Sequence, residues 1–249
     1  MIKEERQQLI INHLKQKKSA YLSELSELLQ VSEDTVRRDI KNLSDQGLLK
    51  AVRGGAIAHS PTPHHFRERQ KYNAKQKELI AKKALRFVQN DQVIIFDGGT
   101  SALAVATALP RDIRITVITN SFPIANVIED HPNAELIFAG GRLNKHSFAT
   151  TGHETIQILR DIRADLAFLG ICSLDVNLGI TTNEYEDAQI KRAIVETSKH
   201  VIALATTDKL GTAEPYYICP ASAIQTIVTD TDPGESFTAS FNENGITII

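Results

Sequence analysis

Five places in this 249-residue chain combine small, backbone-exposing residues with hydroxyls, an amide or a cation: Asp97-Gly98-Gly99-Thr100-Ser101, Thr119-Asn120-Ser121, Gly140-Gly141-Arg142, Gly170-Ile171-Cys172-Ser173 and Thr206-Thr207-Asp208-Lys209. Glycine lets the backbone approach an oxyanion, free N–H groups at a helix start donate to it, and the hydroxyls and cations (Arg142, Lys209) add donors and charge. None of the five matches a P-loop or a dinucleotide fingerprint. Taken alone, Gly-Gly-Thr-Ser is equally consistent with a tight strand-to-helix turn. A second kind of chemistry is concentrated near the N-terminus, where Ser32, Thr35, Arg37, Arg38, Lys41 and Asn42 are followed by Lys50 and Arg53. Arginine can reach guanine edges in a major groove, and lysine or threonine can hold phosphates.

Elements must position these groups. Each of the five small-residue places follows a short Val- and Ile-rich run, namely 92–97, 114–118, 134–139, 165–169 and 201–205, and amphipathic stretches separate the runs. Strands alternating with helices predict an α/β fold with an open, mostly parallel sheet covered on both faces. The C-terminal ends of such strands gather along one edge, where ligands bind. The five places then converge on a small polyhydroxylated anion, for which a sugar phosphate is a good fit.

The N-terminal cations need a different scaffold. Three helices are readable, over about 3–16, from an N-cap at Ser23, and from an N-cap at Ser32 to about Gln46, where Gly47 supplies a left-handed stop. Val36, Ile40 and Leu43 fall at i, i+4 and i+7 and must pack inward. At about 100° per residue, Arg38 and Lys41 then point outward, with Thr35, Arg37 and Asn42 on the flanks. Residues 48–52 and 56–58 flank Arg53-Gly54-Gly55 as two short strands around a glycine turn, a wing that carries Lys50 and Arg53 beside a groove.

The charge is distributed to match. The chain has 28 Lys+Arg against 30 Asp+Glu, a net of −2, yet residues 1–58 hold 10 Lys+Arg against 8 acids, a net of +2, which leaves −4 beyond them. We expect a winged helix-turn-helix over 1–58, a linker over 59–74 opening on the His- and Pro-rich HSPTPHHF, and an effector domain over 75–249. The linker histidines lack a carboxylate or Cys at ligand spacing and are expected to be solvated, so no metal or cofactor site is expected. Cys172 and Cys219 are isolated, as buried reduced thiols would be. With no cleavable apolar segment in the first residues and no long apolar run, a cytoplasmic protein without a membrane span is expected. Asp175, Glu184, Glu186, Asp187 and His153 could serve acid–base chemistry. However, residues 185–197 read as a surface helix in which i, i+4 pairing accounts for Asp187 with Lys191, and no nucleophile signature is present, so no catalytic residue is assigned.

The ordered set resembles the DeoR family of transcriptional regulators. In the first 58 residues the resemblance rests on Arg6, Leu9 and Leu14, on 23–29, on Val31-Ser32-x-x-Thr35-Val36-Arg37-Arg38-Asp39-Ile40, and on Gly47-Leu48 leading to Arg53-Gly54-Gly55-Ala56. Gln30 stands where many members place a glycine. Beyond about Lys75 it rests on Asp97-Gly98-Gly99-Thr100, Thr119-Asn120-Ser121, Gly140-Gly141, Gly170, Thr181-Thr182-Asn183, Ala188 with Lys191, and Lys209-Leu210-Gly211. The resemblance implies an effector domain similar in fold to ribose-5-phosphate isomerase, glucosamine-6-phosphate deaminase and coenzyme A transferases. It also implies a phosphate held by the glycine-threonine loop and Lys209, with Thr119 and Asn120 near the sugar. Double-stranded operator DNA, a phosphorylated sugar effector and a homo-oligomer, dimer or tetramer, are the implied partners. The function implied is repression of carbohydrate-metabolism genes, relieved by the effector. The alternative is isomerase or deaminase activity retained in the second domain.

Overall fold

The computed structural model describes residues 1–232 and 234–249. Its first part is α1 (Lys3–Lys17), β1 (Ser19–Tyr21), α2 (Leu22–Leu29), α3 (Glu33–Asp45), β2 (Lys50–Val52) and β3 (Gly55–Ile57). Ile10, Leu14, Leu25, Leu29, Val36, Ile40 and Leu43 form one core. The Ser32 side chain caps α3 by accepting from the Thr35 N–H, and Gly47 takes φ +70° after the helix. Strands β2 and β3 pair antiparallel as the expected wing, and β1, which periodicity did not reveal, pairs with the other edge of β3. A Cβ at Gly55 would lie 2.1 Å from the Ala20 carbonyl oxygen, so that strand contact requires glycine. Because β1 runs directly into α2, the helix starts at Leu22 and not after a Ser23 cap, and the Leu22 N–H donates to the Gly54 carbonyl.

The segment expected as a solvated linker is packed. It contains α4 (Phe66–Lys71), whose Phe66 is buried against Phe148, and the Phe66 N–H donates to the His146 carbonyl. An apolar anchor and satisfied backbone groups hold it against the second part of the chain. His65 accepts from the Arg67 N–H, His64 bonds Asn183, and His59 reaches the Ala213 carbonyl at 3.1 Å.

The rest is α5 (Ala74–Ala84), β4 (Val93–Phe96), α6 (Thr100–Thr107), β5 (Ile115–Thr119), α7 (Phe122–Glu129), β6 (Ala134–Phe138), β7 (Arg142–Asn144), β8 (Ala149–Thr151), α8 (His153–Arg160), β9 (Ala164–Gly170), β10 (Ser173–Asp175), β11 (Gly179–Thr182), α9 (Tyr185–Thr197), β12 (Ser198–Leu204), β13 (Tyr216–Cys219), β14 (Thr226–Val228), α10 (Glu235–Asn242) and β15 (Thr247–Ile248). Seven strands form one sheet in the order β15-β14-β12-β9-β4-β5-β6, and every pairing in it is parallel. Alternation along the strands divides the core in two. Ile94, Phe96, Leu166 and Phe168 meet Ile80, Leu103 and Ile124 on one face, while Ile95, Ala167 and Leu169 meet Leu159, Ile190 and Ile194 on the other. The β7–β8 hairpin and an antiparallel β10-β11-β13 sheet are additional layers with no counterpart among the expected elements.

The chain leaves β4 outward through β5 and β6, then returns to β9 on the opposite side of β4. That reversal is a topological switch point, and in open α/β sheets the strand ends beside such a point leave a crevice.

Candidate functional site

A pocket occupies that crevice. Gly98 and Gly99 after β4, Thr100 and Ser101 opening α6, Asn120 after β5, and Gly170, Ile171 and Cys172 after β9 line its floor; Lys209 forms one wall. Glycine is needed where the two strand ends touch: a Cβ on Gly99 would lie 3.1 Å from the Gly170 Cα, and one on Gly170 would lie 2.9 Å from Asp97 Oδ2. Below this contact Asp97 is buried, accepting from Lys191 Nζ at 2.5 Å and from the Gly170 N–H at 2.9 Å. Burial works against charge on Lys191, but the carboxylates of Asp187 and Asp97 outweigh it and hold the ammonium above the usual lysine range.

The thirteen expected effector residues therefore divide. Gly98, Gly99, Thr100, Ser101, Asn120, Gly170 and Lys209 line the pocket. Asp97 and Thr119 lie behind its wall, Asp97 braced by Lys191 and Thr119 donating to the Phe96 carbonyl while accepting from the Ser121 N–H. Ser121 is fully buried as the N-cap residue of α7, outside the lining. Gly140 and Gly141 approach α8, where Thr155 donates to the Gly140 carbonyl and a Cβ on Gly141 would strike Thr155 Oγ1 at 2.3 Å. Arg142 points outward and pairs with Glu186.

Other lining residues were not among those expected to bind the effector. Thr62 and Arg69 arrive from the segment before α5, Asn144 from β7, and Glu184, Asp187 and Lys191 from the start of α9. Helix α9 has the expected bounds but is not a surface helix: Lys191 is 3% exposed and spans to Asp97, with Asp187 only its second carboxylate at 3.6 Å. The partner that makes burial of Lys191 tolerable sits 94 residues earlier, so helical spacing could not reveal it. Cys172, expected to be buried, is half-buried in the pocket, whereas Cys219 is buried and its thiol is pushed up to about 12 by burial; both are unpaired thiols.

Two polar atoms in the pocket are held without being satisfied. Asn120 donates through Nδ2 to the Thr150 carbonyl at 2.7 Å, and its buried Oδ1 meets no donor among the described residues. Lys209 is 5% exposed and, among the described residues, gives one hydrogen bond, to the Ile171 carbonyl at 2.8 Å, so two of its three donors have no partner there. Burial pulls its ammonium below the usual range. The carboxylates are better engaged: Glu184 accepts from Asn144, Asp187 from Thr182 Oγ1, and Glu186 from Thr151 Oγ1 and Arg142. Asp175 closes a turn by accepting from the Asn177 and Leu178 N–H groups, and His153 is exposed at the start of α8.

On α3, Arg37 and Arg38 are exposed and share the Asp34 carboxylate, at 3.0 and 3.2 Å. Arg37 and Lys41 face Arg53 and Gly54 across a groove between α3 and the wing. Thr35 lies beside Ser32, their hydroxyls 3.0 Å apart, and Asn42 accepts from Gln7 and Gln46. Arg6 clamps α3 to α1 through the buried Asp39, Nε to Oδ2 at 2.5 Å and Nη2 to Oδ1 at 3.2 Å. Lys50 departs from its expected role. Its ammonium turns away from the groove and donates to the Glu214 carbonyl at 2.9 Å. Lys18 donates to the Asp208 carbonyl at 3.1 Å, and the Ala213 N–H donates to the Ala58 carbonyl. The winged module thus rests on residues 208–214, the loop that contains Lys209.

Two family models match separate stretches of the chain. Residues 6–62 match the DeoR-like helix-turn-helix domain and residues 72–231 match the DeoR C-terminal sensor domain. The chain belongs to the DeoR family. As a DeoR-family member it is a DNA-binding regulator with a sensor domain. It is 33% identical to the HTH-type transcriptional repressor GlcR of Bacillus subtilis over 100% of this chain and 96% of that one. It is 32% identical to the HTH-type transcriptional regulator GolR of Listeria innocua, over 98% and 97% respectively. The glycerol-3-phosphate regulon repressor of Escherichia coli is 31% identical over 90% of this chain and 89% of its own. Among solved structures, a D-ribose-5-phosphate isomerase in complex with phospho-erythronic acid aligns with 55% of this chain and 54% of its own at 19% identity and a TM-score of 0.42. Among the described residues, no helix is long and apolar enough to cross a membrane.

Proposed function

We propose that this DeoR-family regulator is a repressor of carbohydrate-metabolism genes, that its pocket takes a phosphorylated sugar, and that occupancy of the pocket relieves repression. The observation that carries the reading is the pairing of a buried, underused cation with an unsatisfied buried acceptor at the switch point of the sheet. Lys209, the Gly98-Gly99 backbone and the first turn of α6 suit a phosphate, and Asn120 Oδ1 needs a hydroxyl donor. Glu184 and Asp187, both in the lining, are the carboxylates placed to accept further sugar hydroxyls. Because Asp187 is already held by Thr182 and Lys191, and Glu184 by Asn144, we read the pocket as a binding site without turnover.

On the DNA side, Arg37, Arg38, Lys41 and Arg53 are the assigned contacts, with Ser32, Thr35 and Asn42 setting the helix beside them. Residues 1–58 form the DNA-binding unit and 75–249 the effector unit. Two copies would place their α3 helices on successive turns of an operator, roughly 34 to 36 Å apart or a multiple of it. Coupling runs through residues 208–214: a ligand drawing on Lys209 acts on the loop that receives Lys18 and Lys50. About 1 to 3 kcal/mol of difference in ligand affinity between the two states is enough for such a switch.

The test is a melting-temperature screen of sugar phosphates beside their unphosphorylated parents. At about 100 times its dissociation constant a ligand raises stability by roughly 2.7 kcal/mol. A phosphorylated compound is expected to shift the wild-type chain and to lose its effect in Lys209→Ala. Equal shifts within each phosphorylated and unphosphorylated pair would refute the phosphate site, and turnover of an isomerisable sugar phosphate would refute the non-enzymatic reading.

A further inference from the structure

Resting on the reading of the pocket as a phosphate site, we infer that Arg69 of α4 completes the phosphate subsite opposite Lys209, so that the bound anion ties the segment joining the two domains to the pocket. Arg69 is half-buried, lines the same pocket as Lys209, and forms no ion pair among the described residues. Among the described residues it spends one N–H of five on the His64 carbonyl at 2.5 Å, and its guanidinium lies 5.8 Å from the centre of the Phe66 ring. A planar donor fork held in this way, with most of its donors unspent, is suited to bidentate contact with phosphate.

The surroundings are built for an anion that the protein does not itself supply. Lys77 is 4% exposed and donates to the carbonyls of Arg69 and Tyr72, fixing the end of α4. Burial, together with the charges of Lys209 and Arg69, pulls its ammonium down to about 7. The nearby carboxylate, Asp208, is turned to Tyr72 Oη at 2.5 Å, Asn73 Nδ2 at 3.0 Å and Thr206 Oγ1 at 2.5 Å. Arg69, Lys77 and Lys209 thus lie near a carboxylate that is already occupied, and the lining carboxylates Glu184 and Asp187 are engaged by Asn144 and Thr182. A phosphate between Arg69 and Lys209 would relieve their mutual repulsion, and it would join the segment leading out of the wing to the loop on which the wing rests.

Binding of inorganic phosphate to the full-length chain, measured by calorimetry at constant ionic strength, tests this. Charge-assisted hydrogen bonds of this kind are worth a tenfold change or more in affinity. Arg69→Gln is expected to weaken binding at least tenfold, as Lys209→Ala does, and phosphate is expected to slow amide exchange across residues 64–71 in the wild type. Wild-type affinity in Arg69→Gln alongside weakened binding in Lys209→Ala overturns the role of Arg69 and leaves the pocket reading standing. Unchanged exchange across 64–71 on phosphate binding overturns it without any variant. Absence of phosphate binding by the wild-type chain, with no response to any sugar phosphate, removes the pocket reading and this inference together.

Discussion

The groove beside α3 and the pocket at the strand ends both present cations, and they do so under opposite conditions. Arg37 and Arg38 have side chains 61% and 82% exposed and lean on a single carboxylate, Asp34. Lys209 and Lys191 are nearly removed from water. An exposed arginine keeps its charge at little cost, can exchange Asp34 for a phosphate or a guanine edge, and is screened by salt. A buried ammonium must be paired or must wait for its counterion, and it draws the surrounding fold into that requirement. The first arrangement suits a long polyanion met along a surface; the second suits one small anion whose arrival must be felt elsewhere.

Three measurements sharpen or break this contrast. The largest effect is expected on the buried side: Asp97→Ala leaves Lys191 without its closest partner and should cost about 3 to 5 kcal/mol of stability in denaturant unfolding. A loss below about 1 kcal/mol would mean that Lys191 is not held by the pair. Next, Arg37→Ala with Arg38→Ala should leave stability nearly unchanged and weaken operator binding by about 1 to 3 kcal/mol for each arginine that pairs with a base edge, with a shallower salt dependence. Unchanged affinity and salt slope in a binding titration would show that α3 does not read the operator.

The smallest effect concerns the seam between the regions. His59 faces Glu214 Oε2 at 3.4 Å, and that carboxylate raises its pKa against the opposing effect of burial. Since the folded pKa lies above the unfolded value of about 6.5, the stabilisation is fully present below that pH and is lost as pH rises through the folded pKa. The stability difference between wild type and His59→Gln, about 1 kcal/mol below pH 6.5, should therefore shrink in thermal melts taken toward alkaline pH. A difference that stays constant across that range would rule out the charged pair.

Much of the fold was legible in sequence because its rules are local. Ser32 as a cap, Gly47 as a stop and the Val36-Ile40-Leu43 stripe all lie in the structure where spacing placed them. Gln30, at the position where the resemblance favours glycine, adopts a left-handed φ of +52°, which explains the preference. The candidate site was legible in part: glycine-rich strand ends mark a sheet edge, but not which ends meet across it. Gly140, Gly141 and Arg142 share the pattern of Gly98 and Gly99, yet they follow the edge strand β6 and turn toward α8 and Glu186.

By itself, the sequence determined the two modules, the parallel sheet, the basic helix with its wing, and the expectation that strand ends would hold an anion, because hydrophobic period, capping and glycine placement are properties of neighbouring residues. Only the tertiary structure decided that Lys191 braces Asp97, that Lys50 serves the seam and not the groove, and that Arg69 reaches the pocket from the segment joining the modules. Each of those outcomes depends on a partner far away in the chain. Whether a charge ends up paired, buried or waiting for a ligand is settled by what the fold brings within a few ångströms of it.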